Sequence, residues 1–530
     1  MKKAAFWKAD WFLGLIVAAV LFFSAGSDLI QSLERKAYDL GVQASSRNPS
    51  DKVAVIAIDD QSISNIGRWP WSREVLAKMI DTLAGAKAKV IGNTIFFSEP
   101  QTDPGLVYIN KLSQLYANSS LKNSTDPSAQ QEIAQVDALL KEAELNLNTD
   151  RKLAESIQKA NNVLLALLFE RGEPIGKPDQ PLPEFVTRNQ IPNVEDKAGA
   201  LSNGLLPAPT VAALVPLADF GNKALALGHL NANPDVDGGI RQESLVLRYY
   251  DQYYPSLSLM LAAKSLNLQP ADIVVRLGEG VKLGKLKIST DPFLQMYTYF
   301  YKDRDGKPAF QVDSFYDVYA GRIPAAKYQD KIVLIGATAA GVGASQVTPI
   351  SPAMAPVLTL AHSVSSILKE DFYVTPSWGL WAEKLVFLTV ALYLILLLPR
   401  LKAGMGAALT GVLFVLLVAA HFWLMAGKAI WLQLMLPATL LLVGHGLLVT
   451  KRFMMTEKGK EKSEAESAES NRMLGLAFQG QGQLDMAFDK FRKCPIDDTL
   501  MDNLYNLALD FERKRQFNKA EAVYRHMAEY

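Results

Sequence analysis

A single cysteine, Cys494, serves 530 residues. No disulfide can therefore hold any other part of the chain, and each folded part needs a core of its own. Charge of one sign is also missing: 55 Lys and Arg offset 54 Asp and Glu for a net +1. Such a balance leaves no overall field for nucleic acid or acidic substrates, and nucleic acid is not an expected partner. There is no HExxH string, no paired CxxC and no nucleophile elbow, so a catalytic domain has little support. A VAIK-type lysine and an HRD string are absent too. No catalytic residue, metal or cofactor is expected within these residues, and enzymatic activity is left open.

What the chain does have is apolar length. Hydrophobic residues make up 49% of it, and four uncharged runs are candidates to cross roughly 30 Å of hydrocarbon, which takes about 20 helical residues. The first begins at Trp11, after Lys2, Lys3 and Lys8, and is counted as a span over 11–30. Asp10 interrupts its basic flank and the cleavage pattern is weak, so it reads as an uncleaved anchor rather than a signal peptide. The others fall at 378–400, 403–427 and 429–450. Basic residues before the first run, between the second and third (Arg400, Lys402) and after the fourth (Lys451, Arg452, Lys458) belong on one side. This predicts four transmembrane helices in a bacterial inner membrane, both termini cytoplasmic, and residues 31–377 in the periplasm. The bilayer is then the first expected partner.

The outer segment is long enough for its own core. Lys52 to Asp60 is a β-branched apolar run ending in acids, which reads as a strand buried on both faces. Val75, Leu76, Met79, Ile80 and Leu83 have helical spacing, and Lys89 to Phe97 reads as the next strand. Strand, helix, strand is the unit of a parallel sheet. Further strands are expected at 162–169, 242–250, 272–277 and 331–336, with helices at 256–266 and 360–368. Residues 106–160 read as an inserted helical hairpin, and the proline-rich 171–198 as a loop or lid. The expected fold is an α/β domain with a mostly parallel central sheet.

Several motifs have a bland and a functional reading. Gly278 to Gly284 reads as a hairpin turn rather than a phosphate loop. Gly336 to Gly343 (GATAAGVG) follows a strand and reads as a tight turn, since no Walker lysine follows. Asn231 to Gly238 begins like a calcium loop but has Gln242 where the bidentate glutamate belongs, so a turn is favoured. Asp59 and Asp60 end a strand, where ligands of open α/β sheets bind, or one of them caps the next helix. In GRWPWSR, Gly67 to Arg73, Pro70 suits a first helical turn; Trp69 and Trp71 pack this corner, or one of them or an arginine lines a pocket. His421 and His445, inside expected spans, read as hydrogen-bond links between helices.

The ordered set of Asp59-Asp60-Gln61-Ser62, GRWPWSR, KVIGNTIFFSEP, NANPDVDGGIR, YPSLSL and KIVLIGATAAGVG resembles the CHASE2 extracellular sensor domain of bacterial receptors, over roughly residues 1 to 450. The resemblance implies one amino-terminal span, an external domain and three closing spans. Three positions depart from the family pattern: Thr94 and Ala344 stand where an acid is common, and Leu360 where a histidine is expected. Taken with the resemblance, Asp59, Asp60, Arg68, Trp69, Arg73 and Glu99 are the candidate ligand-binding residues, for an external ligand of unknown identity.

After a charged linker at 451–470, residues 471–530 repeat. Phe478 and Phe511, Ala487 and Ala520, and Phe491 and Tyr524 are each 33 apart, and they are similar to the small and aromatic positions of tetratricopeptide repeats, whose period is about 34. The second unit would leave an apolar face uncovered at Tyr530, implying further sequence, a partner or self-association. Receptors with this combination often continue into a serine/threonine kinase. The expected function is a transmembrane signalling receptor, homo-oligomeric, whose repeats engage a cytoplasmic protein; the alternative is a non-catalytic membrane scaffold.

Overall fold

The computed structural model of the protein describes residues 9–178 and 180–529; Lys2, Lys3 and Lys8 of the orienting basic set lie outside them. The chain forms two compact units, one of residues 25–386 with 415–436 and one of the remainder.

The larger unit is built on a nine-stranded sheet. Its strands are β1 (Val53–Ile58), β2 (Val90–Asn93), β3 (Val163–Arg171), β4 (Pro209–Leu214), β5 (Ala226–His229), β6 (Val246–Tyr249), β7 (Gln252–Pro255), β8 (Gln311–Ser314) and β9 (Ile332–Ala337). They run in the order β8-β1-β9-β2-β3-β4-β6-β7, with β5 also on β3. Pairings from β8 through β3, and β3 with β5, are parallel. β4–β6 is also parallel, while the pairs β3–β4 and β6–β7 are antiparallel, so the sheet is mixed, with six parallel pairings against two antiparallel. One cause is local: only Tyr250 and Asp251 separate β6 from β7, which permits a hairpin but no crossover. The run read as one strand over 242–250 also divides, because Gln242–Ser244 pairs with Gln295–Thr298 in a separate three-stranded sheet.

β1 is buried on both faces, and its alternate residues enter two cores. Val53 and Val55 face one shared with Leu257–Ser265 and Pro356–Lys369. Ala54, Ile56 and Ile58 face the other, shared with Arg73–Gly85 and Thr149–Ala160. Two apolar faces per strand account for the unbroken β-branched run in the sequence.

Between β1 and β2 the connection differs from expectation. Asp59 caps a short helix, Asp60–Ile66, which Gly67 ends at a φ of 120°. The next helix, Arg73–Gly85, starts from its own cap, Ser72. Pro70 is therefore not in a first helical turn; it lies in the connection, after a cis Trp69–Pro70 peptide. The acid-rich Asp59 to Ser62 stretch starts a helix of its own and pushes the second start downstream. In the insertion, Pro104–Ala117 and Pro127–Leu147 pair with no buried residue, whereas Thr149–Ala160 buries Leu153, Ala154 and Ile157 against the helix Arg73–Gly85. The hairpin is thus shorter than 106–160, and its last helix belongs to the core. Asp219-Phe220-Gly221, a kinase-like string in letters only, lies in a one-turn helix with Phe220 buried 5.3 Å from Phe97.

Among the described residues, three helices are long and apolar enough to cross a membrane: Gly379–Arg400, Ala403–Lys428 and Met435–Gly480. The amino-terminal run is not one straight span. Asp10–Phe23 and Asp28–Ala44 meet at 76°, and only if this bent pair counts as one span does the number reach four. At about 1.5 Å per residue, the 14 residues of the first helix are short for a bilayer, and Asp28, Glu34, Arg35 and Asp39 make the second helix amphipathic. The helix starting at Met435 runs unbroken through the expected linker to Gly480.

In the smaller unit Asp10 pairs with Lys451 at 2.9 Å and Arg452 at 3.1 Å. Tyr393, Thr410 and His445 form a hydrogen-bonded chain, with Tyr393 to Thr410 at 2.8 Å and Thr410 to His445 at 3.0 Å. Its carboxyl-terminal helices, Leu484–Phe491, Asp498–Arg513 and Phe517–Ala528, bury Ala487, Phe491, Phe511 and Ala520 together. Gly475 lets the preceding helix approach: a Cβ there would stand 2.5 Å from the Phe491 ring.

Candidate functional site

At the carboxyl ends of β2, β5 and β9 the larger unit encloses a cavity of about 540 Å³. This is where ligands of open α/β sheets bind, and the volume suits a small molecule. β2 supplies Thr94, Ile95 and Phe96 just beyond its end, β9 supplies Ala337, and the loop after it supplies Val342, Gly343 and Ala344. Helix Pro356–Lys369 closes one side through Val357, Leu360 and Ser363. Gly336 is required for that closure, since a Cβ there would meet Thr94 Oγ1 at 2.5 Å and Val357 Cβ at 2.6 Å. The glycine of GATAAGVG thus permits close packing of strand on helix. Thr94, Ala344 and Leu360, the three positions that depart from the family pattern, all line this cavity.

One carboxylate reaches it. Glu243 faces the cavity from the strand Gln242–Ser244, and Ser258 Oγ donates to its Oε1. Ser256 Oγ is in turn 2.8 Å from Ser258 Oγ. Burial pushes the Glu243 carboxyl up from its ordinary range, and the hydroxyls of Ser258, Ser363 and Ser256 pull the other way. Gln346 Oε1 and Thr359 Oγ1, on residues of the same wall, are buried and have no hydrogen-bond partner among the described residues.

Of the residues nominated from sequence, Trp69 lines this cavity. Its ring meets Trp71 edge-on at 5.1 Å. Trp71, only 4% exposed, donates from Nε1 to Gly67 O at 2.7 Å and packs on Phe315. Asp59 takes the capping alternative: its Oδ1 accepts from Ser62 N at 2.8 Å, Ser62 Oγ at 2.5 Å and Ser314 Oγ at 2.9 Å. Asp60, Arg68 and Glu99 are exposed. Arg73 is a tether, 3.4 Å from Asp150 and stacked over Phe97 at 4.5 Å; burial lowers its proton affinity while Asp150 restores part of it. The six do not converge on one point.

Beside the cavity lies a hub that the sequence did not announce. Arg241, adjoining Gln242 and Glu243 in sequence, is 8% exposed. Its Nε and Nη2 donate to Asp39 at 2.8 Å each, Nη1 and Nη2 donate to Asp237 at 2.8 Å each, and Nη1 donates to Asp235 at 3.2 Å. All five guanidinium N–H groups are engaged. The acids of the calcium-like stretch are therefore spent on Arg241, around the turn at Gly238, and Arg241 holds Asp237 down to about 2. Asp39 lies on Asp28–Ala44. On the same helix Glu34 Oε1 accepts from Met435 N at 2.8 Å and Leu436 N at 3.1 Å, capping the start of the last apolar helix. Ala37 O accepts from His421 Nε2 at 2.8 Å, and Trp431 packs on Tyr38 at 5.0 Å.

A ligand-sized cavity at strand ends thus accompanies helices long and apolar enough to cross a membrane. The CHASE2 domain family matches residues 13–398. The chain belongs to that family, which consists of extracellular sensor domains of signalling receptors. No curated relative and no solved structure matches it.

Proposed function

We propose that this chain is a multi-pass bacterial inner-membrane receptor whose CHASE2 domain, in the periplasm, binds a small molecule in the cavity that Trp69 and Glu243 line. The observation that carries the reading is the shared strand: Gln242 and Glu243 face the cavity, while the neighbouring Arg241 grips Asp39. A ligand that moves this strand biases the helix Asp28–Ala44, and with it the cap that Glu34 places on the helix from Met435. Differential binding to two arrangements of these elements is the physical requirement. The pairing of Asp10 with Lys451 and Arg452 supports putting both termini on the cytoplasmic side. Two helical pairs with a 33-residue spacing support tetratricopeptide-type repeats. These repeats engage a cytoplasmic partner and couple the receptor, as a homo-oligomer, to a serine/threonine kinase output.

A second reading, a non-catalytic scaffold, is favoured by the paired helices Pro104–Ala117 and Pro127–Leu147, which expose Tyr108, Leu115 and Leu139. Thermal melting of the full chain against metabolite mixtures separates the two. The receptor reading expects a mixture that raises the melting temperature of the native chain and loses that effect in Ala232→Trp, which occludes the cavity. If no mixture shifts the melt, or the shift survives occlusion, the scaffold reading stands.

A further inference from the structure

The cavity wall is selective in its chemistry. Among its described residues there is no Lys, Arg or His, and Glu243 is the one ionisable side chain. A carboxylate or phosphate ligand would enter with no cation to meet it and with Glu243 opposing it, a combination that desolvation makes costly. The rest of the wall is largely apolar, with aromatic faces from Trp69 and Phe96. Burial in this largely apolar wall raises the proton affinity of the Glu243 carboxyl above its ordinary range. An ammonium placed against it would pair the carboxylate and offset its burial, and the neighbouring Ser258 hydroxyl already donates to the same group. The unpartnered Thr359 Oγ1 and Gln346 Oε1 are two further polar atoms on this wall.

From this geometry we infer that the cavity takes an amphiphilic amine: a small molecule with an apolar or aromatic body seated against Trp69 and Phe96 and a single ammonium head against Glu243. The inference rests on the sensing reading above for its biological meaning, while the binding itself is tested directly.

Three indoles with one body and different heads serve as probes: tryptamine, tryptophol and indole-3-propionate. Equilibrium dialysis on the full chain in a non-ionic detergent measures each. Tryptamine is expected to bind about ten- to a hundred-fold more tightly than tryptophol, the range of one charge-assisted hydrogen bond, and indole-3-propionate to bind least. Glu243→Gln removes the advantage of tryptamine over tryptophol without affecting tryptophol. Glu243→Asp, which keeps the charge but draws it back by one methylene, weakens tryptamine alone and serves if the glutamine variant misfolds. Ala232→Trp abolishes binding of tryptamine and tryptophol alike, which assigns them to the cavity rather than to detergent.

Equal binding of tryptamine and indole-3-propionate, a tryptamine preference that persists in Glu243→Gln, or no binding by any of the three overturns the amine assignment. Amide exchange in residues 28–44 is followed in the same samples. Tryptamine binding that leaves this exchange unchanged supports the amine assignment and sinks the sensing reading. An anion that binds and does change it has the opposite meaning.

Discussion

Arg241→Ala offers the most direct test of how the cavity strand is coupled to the helix Asp28–Ala44. The side chain is 8% exposed and its partners Asp39, Asp235 and Asp237 are 26%, 36% and 40% exposed. Breaking a fully buried ion pair costs about 3–5 kcal/mol. Here the three carboxylates keep water on one side, so about 2–3 kcal/mol is the expected loss, with solvent screening taken into account. Asp39 takes two of the five donors and is the partner on Asp28–Ala44. The loss should therefore fall on the docking of that helix.

At about 1.4 kcal/mol per decade, amide exchange in residues 28–44 should accelerate roughly 30- to 150-fold. Exchange in β1, hydrogen-bonded to β8 on one side and β9 on the other, should change far less. Hydrogen–deuterium exchange read by mass spectrometry on the full chain in detergent resolves the two segments. Asp39→Asn added to Arg241→Ala should cost much less than it does alone, because the two act as a pair. The reasoning is refuted if 28–44 exchanges at the native rate in Arg241→Ala, or if β1 accelerates by the same factor, which would mean global loosening.

Three other outcomes are expected. Trp71→Ala should cost about 3–5 kcal/mol for a large buried ring, whereas Trp69→Ala, half-buried on the cavity wall, should cost less and alter tryptamine binding; melting and dialysis report the two separately. Gly475→Ala should destabilise the carboxyl-terminal helices by about 1–3 kcal/mol despite its better helix propensity, because the new Cβ meets the rigid Phe491 ring; circular dichroism melts of the full chain check it. His229 and His362 are held neutral to about pH 3 by burial. Their folded values lie below the ordinary 6.5, so the unfolded chain binds more protons between these limits, and their contribution to stability falls as pH drops from about 6.5 toward 3. Replacing both with leucine should flatten that part of the stability–pH curve, measured by denaturant midpoints.

The parts of the fold that were legible in the sequence are those with a strong local period. β1 was readable because its six residues are all apolar and buried, and helices Leu257–Ser265 and Pro356–Lys369 because apolar residues recur along them. Gly278 to Gly284, read as one hairpin turn, holds a strand, Gly280–Leu283, that forms an antiparallel hairpin with the strand on each side of it. The site was less readable. Trp69 was nominated and lines the cavity, but Glu243 was passed over as one letter in a strand. Its neighbours Gln242 and Ser244 are polar too, so no local period marked it, and only the fold buries it against the cavity.

Composition and periodicity alone determined that the part before the closing apolar runs must hold itself without disulfides, that its strands are covered on two faces, and that long apolar helices accompany it. These follow from chemistry within one or two turns of chain. Only the tertiary structure decided that the first apolar run bends by 76°, that 242–250 serves two sheets, and that the acids of NPDVDGG converge on Arg241 with Asp39, 202 residues away. Each depends on which distant group arrives opposite. A carboxylate near a glycine turn reads the same whether it meets a cation, a metal or water, and only the pairing of remote segments chooses among them.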